Sequence, residues 1–280
     1  MLCIVAHHIY QRLVLSFSIS IDNTLIDYIL NSLGYLSSAV FFLLSGYGVR
    51  CSLGKNQITS NYICNHIVKL ISPYIYAWAV YCILCGSLKL LTGWFYWTIL
   101  ILYVLVYTLH GVVKDELSRN ILLLSIVLVY ILIASKYLAI FYYDSVLLFP
   151  LGYSIASHKS KISFPKIYII PIFLFLLVFV RFNFSYGGLY YGNAFRVAIA
   201  PVASFFALML VSLFKIKNKL FDYIGKNSLL FYVLQLALIV PLTNIANPIK
   251  YCTVLIISLF CLTYIYTFIK EKLSFKYGKN

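Results

Sequence analysis

Acidic residues are almost missing: seven Asp and Glu stand in a chain of 280, and charged residues of both signs make up only 10%. A soluble domain carries about 25% charged residues, so the deficit argues against one. No polar stretch reaches about 25 residues, well short of the roughly 50 that an independent domain needs. The chain also lacks a repeat of fixed period, a low-complexity linker, and the basic segment, short apolar run and small-residue cleavage site of a removable signal peptide. Its cysteines lack a pattern. Seven is an odd number, and Cys3, Cys51, Cys64, Cys82, Cys85, Cys252 and Cys261 show no framework spacing, which argues against a disulfide scaffold. Cys82 and Cys85 have a redox- or metal-like interval, but no second ligand pair accompanies them, so they read as small buried residues and no metal is expected.

What is present is apolar. Hydrophobic residues make up 63% of the chain and mean hydropathy is +0.95. The expected fold is therefore all-α, a polytopic transmembrane helix bundle forming one integral-membrane domain over residues 1–280. Apolar runs of about spanning length predict ten helices, at 1–20, 28–49, 70–88, 92–110, 120–135, 137–156, 167–181, 192–214, 224–246 and 249–269. The break near Lys136 demands a very tight turn.

The net charge of +15 raises nucleic acid as a partner, but the basic residues sit one to four at a time between apolar runs, so none is expected. Sixteen of the 22 lie after the second, fourth, sixth and eighth predicted helices or in the C-terminal tail. By the positive-inside rule both termini then lie in the cytoplasm, with the plasma membrane as the expected location.

Few residues can carry chemistry. Near the start, His7 and His8 are adjacent on an apolar segment, and an imidazole at membrane depth is a candidate general base. One of the pair can equally serve as a packing or hydrogen-bonding group between helices. The second predicted helix ends in Phe41-Phe42-Leu43-Leu44-Ser45-Gly46-Tyr47-Gly48-Val49-Arg50. There the glycines allow a backbone or a ligand to come close, and Arg50 offers a planar fork suited to phosphate. A small-residue helix end with a snorkelling arginine reads the same way. His66 and Lys69, three apart before Pro73-Tyr74, share a helical face that fits either a phosphate-bearing ligand or an ordinary positive-inside anchor. Trp94-Phe95-Tyr96-Trp97, with Tyr103 and Tyr107 beyond, reads as an interfacial aromatic belt. Asp144 and Arg196 are charges within apolar runs, costly there and therefore expected to face a cavity, where they can pair. His110 and His158 read as bland interfacial residues. Asn227 or Ser228 is positioned to cap the ninth helix.

Taken in order, these segments resemble a known family. Histidines in the first helix are followed by Phe-Phe-Leu-Leu-Ser-Gly-Tyr, a basic residue before Pro73-Tyr74, and Trp94-Phe95 with a later tyrosine. Leu151-Gly152-Tyr153 and Ile224-Gly225-Lys226-Asn227-Ser228-Leu229-x-x-Tyr232 complete the set. Together they resemble the acyltransferase-3 family of membrane O-acyltransferases, of the bacterial polysaccharide O-acetyltransferase type, over nearly the whole chain.

The resemblance implies a ten-helix enzyme that moves an acyl group, commonly acetyl from acetyl-CoA as co-substrate, to a sugar hydroxyl of a surface or capsular polysaccharide or its lipid-linked precursor. It implies that His7 or His8 is the catalytic base, and that Arg50 and Lys69 attend the acyl-CoA donor together with the Ser45-Gly46-Tyr47 segment. Asp144 and Arg196 are assigned to the acceptor side. The chain departs from the family pattern twice. No basic residue lies about ten positions before the histidines, and six residues rise only about 9 Å as helix, so His7 reaches depth in a full span only if residues precede Met1. A shortened, inactive acyltransferase would show the same abrupt start. The pair of arginines usual before Pro-Tyr is here His66 and Lys69. A polysaccharide exporter or flippase also combines many helices with sparse polar groups. It would place charges at midplane in several central helices, however, whereas this chain concentrates them at cytoplasmic mouths.

Overall fold

The computed structural model describes residues 2–17, 24–54, 59–91, 93–157, 197, 199–209 and 218–277. The fold is an all-helical bundle. Among the described residues the helices are, in chain order, α1 (Leu2–Phe17), α2 (Thr24–Leu53), α3 (Ser60–Cys85), α4 (Trp94–Val112), α5 (Glu116–Tyr137), α6 (Leu148–Ser157), α7 (Ile199–Met209), α8 (Lys219–Lys226), α9 (Ser228–Ile239) and α10 (Pro248–Tyr277). Five of the described helices are long and apolar enough to cross a membrane: Ile29–Leu53, Ser60–Cys85, Trp94–Val112, Glu116–Tyr137 and Pro248–Lys272. Residues 167–181, expected as a span, lie outside the described residues.

The chain divides into two compact units, Met1–Asn31 with Cys64–Gly93 and Lys217–Asn280, and Ser32–Ile63 with Trp94–Ile216. In the first, α1 packs on α9 and α10, and those two pack on each other. Helix α10 buries the stripe Tyr251, Leu255, Leu259 and Thr263 at the i, i+4 spacing that keeps residues on one face. Helix α3 is tied to α10 by a hydrogen bond between the Ser72 and Tyr266 hydroxyls (2.8 Å) and by the Tyr76 hydroxyl donating to the Leu262 carbonyl (3.1 Å).

Gln235 on α9 is completely buried, and neither end of its carboxamide meets a partner among the described residues. An unpartnered buried amide carries its full desolvation cost, about 1–3 kcal/mol. Gln235→Leu, similar in volume and free of polar atoms, is therefore expected to leave stability unchanged or raise it by up to about that amount. The thermal midpoint of the purified protein in detergent measures this.

In the second unit α5 packs on α4 and α6. The crossing of α2 with α6 is set by two glycines. A Cβ on Gly46 would land on the carbonyl of Phe149, and a Cβ on Gly152 would land on the carbonyl of Leu43. Each helix thus lays bare backbone against the other, the close approach that small residues permit in membranes.

Three expectations are corrected in detail. Helix α5 runs through Lys136 to Tyr137 and stops where Leu138 turns extended. The span expected at 137–156 is then a 3-10 turn, Ile140–Tyr142, followed by the ten-residue α6. Pro150 accounts for the late start, because a proline without N–H is tolerated in a first turn and disrupts a helix interior. The span expected at 224–246 is broken twice. At Asn227 the side chain donates to the Tyr223 carbonyl (3.0 Å) instead of capping the next helix, and Pro241 opens a 3-10 turn after α9. The aromatic run at Trp94 is a belt only in part: Trp97 is 40% exposed, whereas Phe95 and Tyr96 are 1% exposed and the rings of Phe95 and Phe42 meet edge-on at 4.8 Å. All seven cysteines are free.

Candidate active site

Helix α1 of the first unit presents both histidines half-buried, with ring centroids 5.5 Å apart. Their surroundings differ. His7 Nδ1 lies 3.0 Å from the Leu30 carbonyl oxygen. A carbonyl only accepts, so Nδ1 carries the proton, and in the neutral ring Nε2 is left with its lone pair. His8 has the Gln11 side chain of its own helix as its polar neighbour. One helical turn on, the Arg12 Nη2 donates to the Thr243 carbonyl at 2.8 Å and its guanidinium lies 5.9 Å from the Tyr251 ring centre, which anchors α1 beside α10. A base needs a fixed ring and a free lone pair. His7 has both.

His66 and Lys69, also in the first unit, lie on α3, which begins at Ser60 rather than near residue 70. His66 is half-buried and Lys69 exposed, on the shared face their spacing predicted. Pro73 has no N–H to offer the Lys69 carbonyl, so that oxygen is released from the helix ladder beside the lysine.

Four helix ends meet in the second unit. Arg50, in the last turn of α2, gives Nε to the Ser157 hydroxyl at 2.9 Å and Nη2 to Glu116 Oε1 at 2.5 Å, and its guanidinium carbon lies 5.9 Å from the Tyr153 ring centre. The Tyr153 hydroxyl is 2.5 Å from His110 Nε2. Arg50 sits at the C-terminal end of α2 and Glu116 at the N-terminal end of α5, each matched to its helix dipole. Asp115 caps α5, its carboxylate accepting from the Ser118 N–H at 2.7 Å. Hydrogen bonds from Ser118 hold that carboxyl below the usual carboxylate range.

The remaining expected site residues are placed as follows. Ser45 is half-buried and hydrogen-bonded to Tyr103, Gly46 lies under α6, and Tyr47 is half-buried. Asp144 is 1% exposed and accepts from the Ser145 hydroxyl (2.7 Å), which also reaches the Tyr35 carbonyl (3.3 Å), so the carboxylate helps fasten its turn to α2. Arg196 and His158 lie outside the described residues. The structure thus brings together His7 with His8, Ser45 through Arg50 on α2, and His66 with Lys69.

Sequence reasoning missed Glu116, Tyr153 as the wall behind Arg50, Ser157, and His110 as more than an interfacial residue. One signal for Glu116 was available: in a chain with seven acids, Asp115-Glu116 ahead of an apolar run is a helix start. No group of three or more His, Cys, Asp or Glu able to hold a metal occurs among the described residues.

Comparison with curated proteins returns no match, and comparison with solved structures returns none. A family model described as an acyltransferase domain matches residues 1–270, nearly the entire chain. The protein is a membrane acyltransferase, and the chain belongs to the acyltransferase-3 family.

Proposed function

We propose that the protein transfers an acyl group, acetyl in the simplest case, from acyl-CoA to a sugar hydroxyl of a cell-surface or capsular polysaccharide or its lipid-linked precursor. The observation that carries the reading is the His7 ring, fixed through Nδ1 on the Leu30 carbonyl, which in the neutral ring leaves the lone pair at Nε2. His7 Nε2 takes the proton of the sugar hydroxyl while its oxygen attacks the thioester carbonyl. The tetrahedral intermediate expels CoA thiolate, to which the imidazolium returns the proton. The products are the sugar ester and CoA, with no other reactant consumed. His8 supports the α1 surface beside it. Arg50, in the second unit, offers its fork to the donor's phosphates, and His66 with Lys69, in the first, is a separate basic candidate for acyl-CoA. The family resemblance alone assigns Asp144 and Arg196 to the acceptor side, where Asp144, buried against Ser145, would act as a positioning residue. The plasma membrane is the proposed location, with both termini on the cytoplasmic side where acyl-CoA is made, a reading supported by the sixteen basic residues that follow alternate predicted helices or lie in the C-terminal tail.

The test is proton NMR of surface polysaccharide from a deletion strain complemented with this chain. Restored O-acetyl signals support the reading. Their absence with protein present in the membrane sinks it. Arg50→Gln removes charge-assisted hydrogen bonds worth about 1.5–3 kcal/mol each, so KM for acyl-CoA is expected to rise roughly 10- to 100-fold. Initial rates of thiol release at varied donor concentration read this directly.

A further inference from the structure

Two contacts that need no anion fix the Arg50 guanidinium from behind, the Ser157 hydroxyl at Nε and the Tyr153 ring face. Glu116 contributes differently. Its side chain is 43% exposed against 16% for the arginine, so the carboxylate is the outer, solvent-facing member of the pair. It is also dispensable as a cap, since Asp115 already fills that role for α5. If the carboxylate lets go of Arg50 it is not stranded. It stays at the N-terminus of α5, where the first turn's N–H groups attract negative charge, and within the field of Arg119. A preset guanidinium with a partly exposed carboxylate on its open edge has the geometry of an anion seat already filled, and phosphate oxygens fit the same fork.

We propose that Glu116 is an internal substitute for the phosphate of the acyl donor. It occupies the Arg50 fork in the empty protein, gives way when the phosphate or pyrophosphate of acyl-CoA arrives, and reclaims the fork as CoA leaves. The inference rests on the reading of Arg50 as a donor-binding residue. Because a partly exposed ion pair is weak, a phosphate of higher charge displaces the carboxylate readily, whereas a donor without phosphate has nothing to exchange. The returning carboxylate hastens release of CoA, so Glu116 weakens donor binding and speeds turnover.

The experiment titrates CoA, and separately pantetheine, which lacks the phosphates, into full-length protein in detergent. Wild type, Glu116→Gln, Arg50→Gln and the double variant are compared by calorimetry, together with steady-state rates. Glu116→Gln is expected to tighten CoA by up to about fivefold, to leave pantetheine unchanged, and to lower kcat and KM together. The double variant should match Arg50→Gln. CoA binding that Arg50→Gln weakens but Glu116→Gln leaves equal or weaker would overturn the inference alone and make Glu116 an ordinary structural partner. Equal CoA binding by wild type and Arg50→Gln would overturn the donor-binding reading, and the inference with it. Glu116→Ala repeats the comparison with no residual hydrogen bond to Arg50.

Discussion

His7→Ala is expected to reduce acyl transfer by roughly 100- to 10,000-fold, the range spanned by general-base catalysis, while leaving the protein folded and the donor KM little changed. The adjacent His8→Ala is expected to keep most of the rate. The asymmetry comes from one hydrogen bond: Leu30, on the neighbouring helix, holds the proton on His7 Nδ1 and so leaves the ring's lone pair at Nε2, whereas the polar neighbour of His8 is Gln11 on its own helix. Initial rates with acyl-CoA and an acceptor glycan measure both variants, and O-acetyl content of the polysaccharide gives the same ranking in cells. Full loss with His8→Ala and none with His7→Ala would reverse the assignment. An equal modest loss in both would mean that neither ring is the base.

The second large effect concerns assembly rather than chemistry. Gly46→Ala or Gly152→Ala places a methyl on a backbone carbonyl of the facing helix, and a carbonyl locked in a helix cannot rotate aside as a side-chain end can. Helices α2 and α6 must separate, at a cost of about 1–3 kcal/mol or more, and Arg50 loses its register with Tyr153 and Ser157. The expected result is a lowered thermal midpoint and a raised donor KM in the protein that survives. Gly48→Ala is the internal control. A Cβ at Gly48 meets nothing within 4 Å, so this variant is expected to be neutral or stabilised by up to about 1 kcal/mol through helix propensity alone. Thermal unfolding in detergent, followed by intrinsic fluorescence, separates the three variants. Equal behaviour at positions 46 and 48 would refute the crossing.

The contrast between Gly46 and Gly48 shows how much of the molecule is legible in its residues. Apolar length located α2, α4 and α10, because a spanning helix must remain apolar for about 20 residues and few other local patterns do. The same reasoning misplaced the segment from Lys136 to Ser157, where Pro150 and the hydrogen bonds of Asp144 and Ser145 override an apolar run that reads as continuous. Both glycines looked equally available for close approach. Only the partner helix distinguishes them, and α6 lies about a hundred residues away in sequence. The histidines could be named from chemistry, but the choice between them depended on a carbonyl at position 30. Glu116 went unnoticed because helix α5 was expected to begin four residues later, which left the acid in a loop instead of at a helix end facing Arg50.

The glycine seam between α2 and α6 also orders events during synthesis. Membrane helices enter the bilayer from the N-terminus as the chain emerges, so α2 arrives long before the segment that completes it. Until Leu148–Ser157 has been made, the bare strip at Gly46 has only lipid against it, and nascent chains cut short before α6 have no surface on which to seat it. The seam is therefore a late event that joins an early helix to a late one across everything inserted between them. The Arg50 fork, which depends on Tyr153 and Ser157, takes shape only at that moment, so a growing chain cannot grip an anionic donor before its framework has closed.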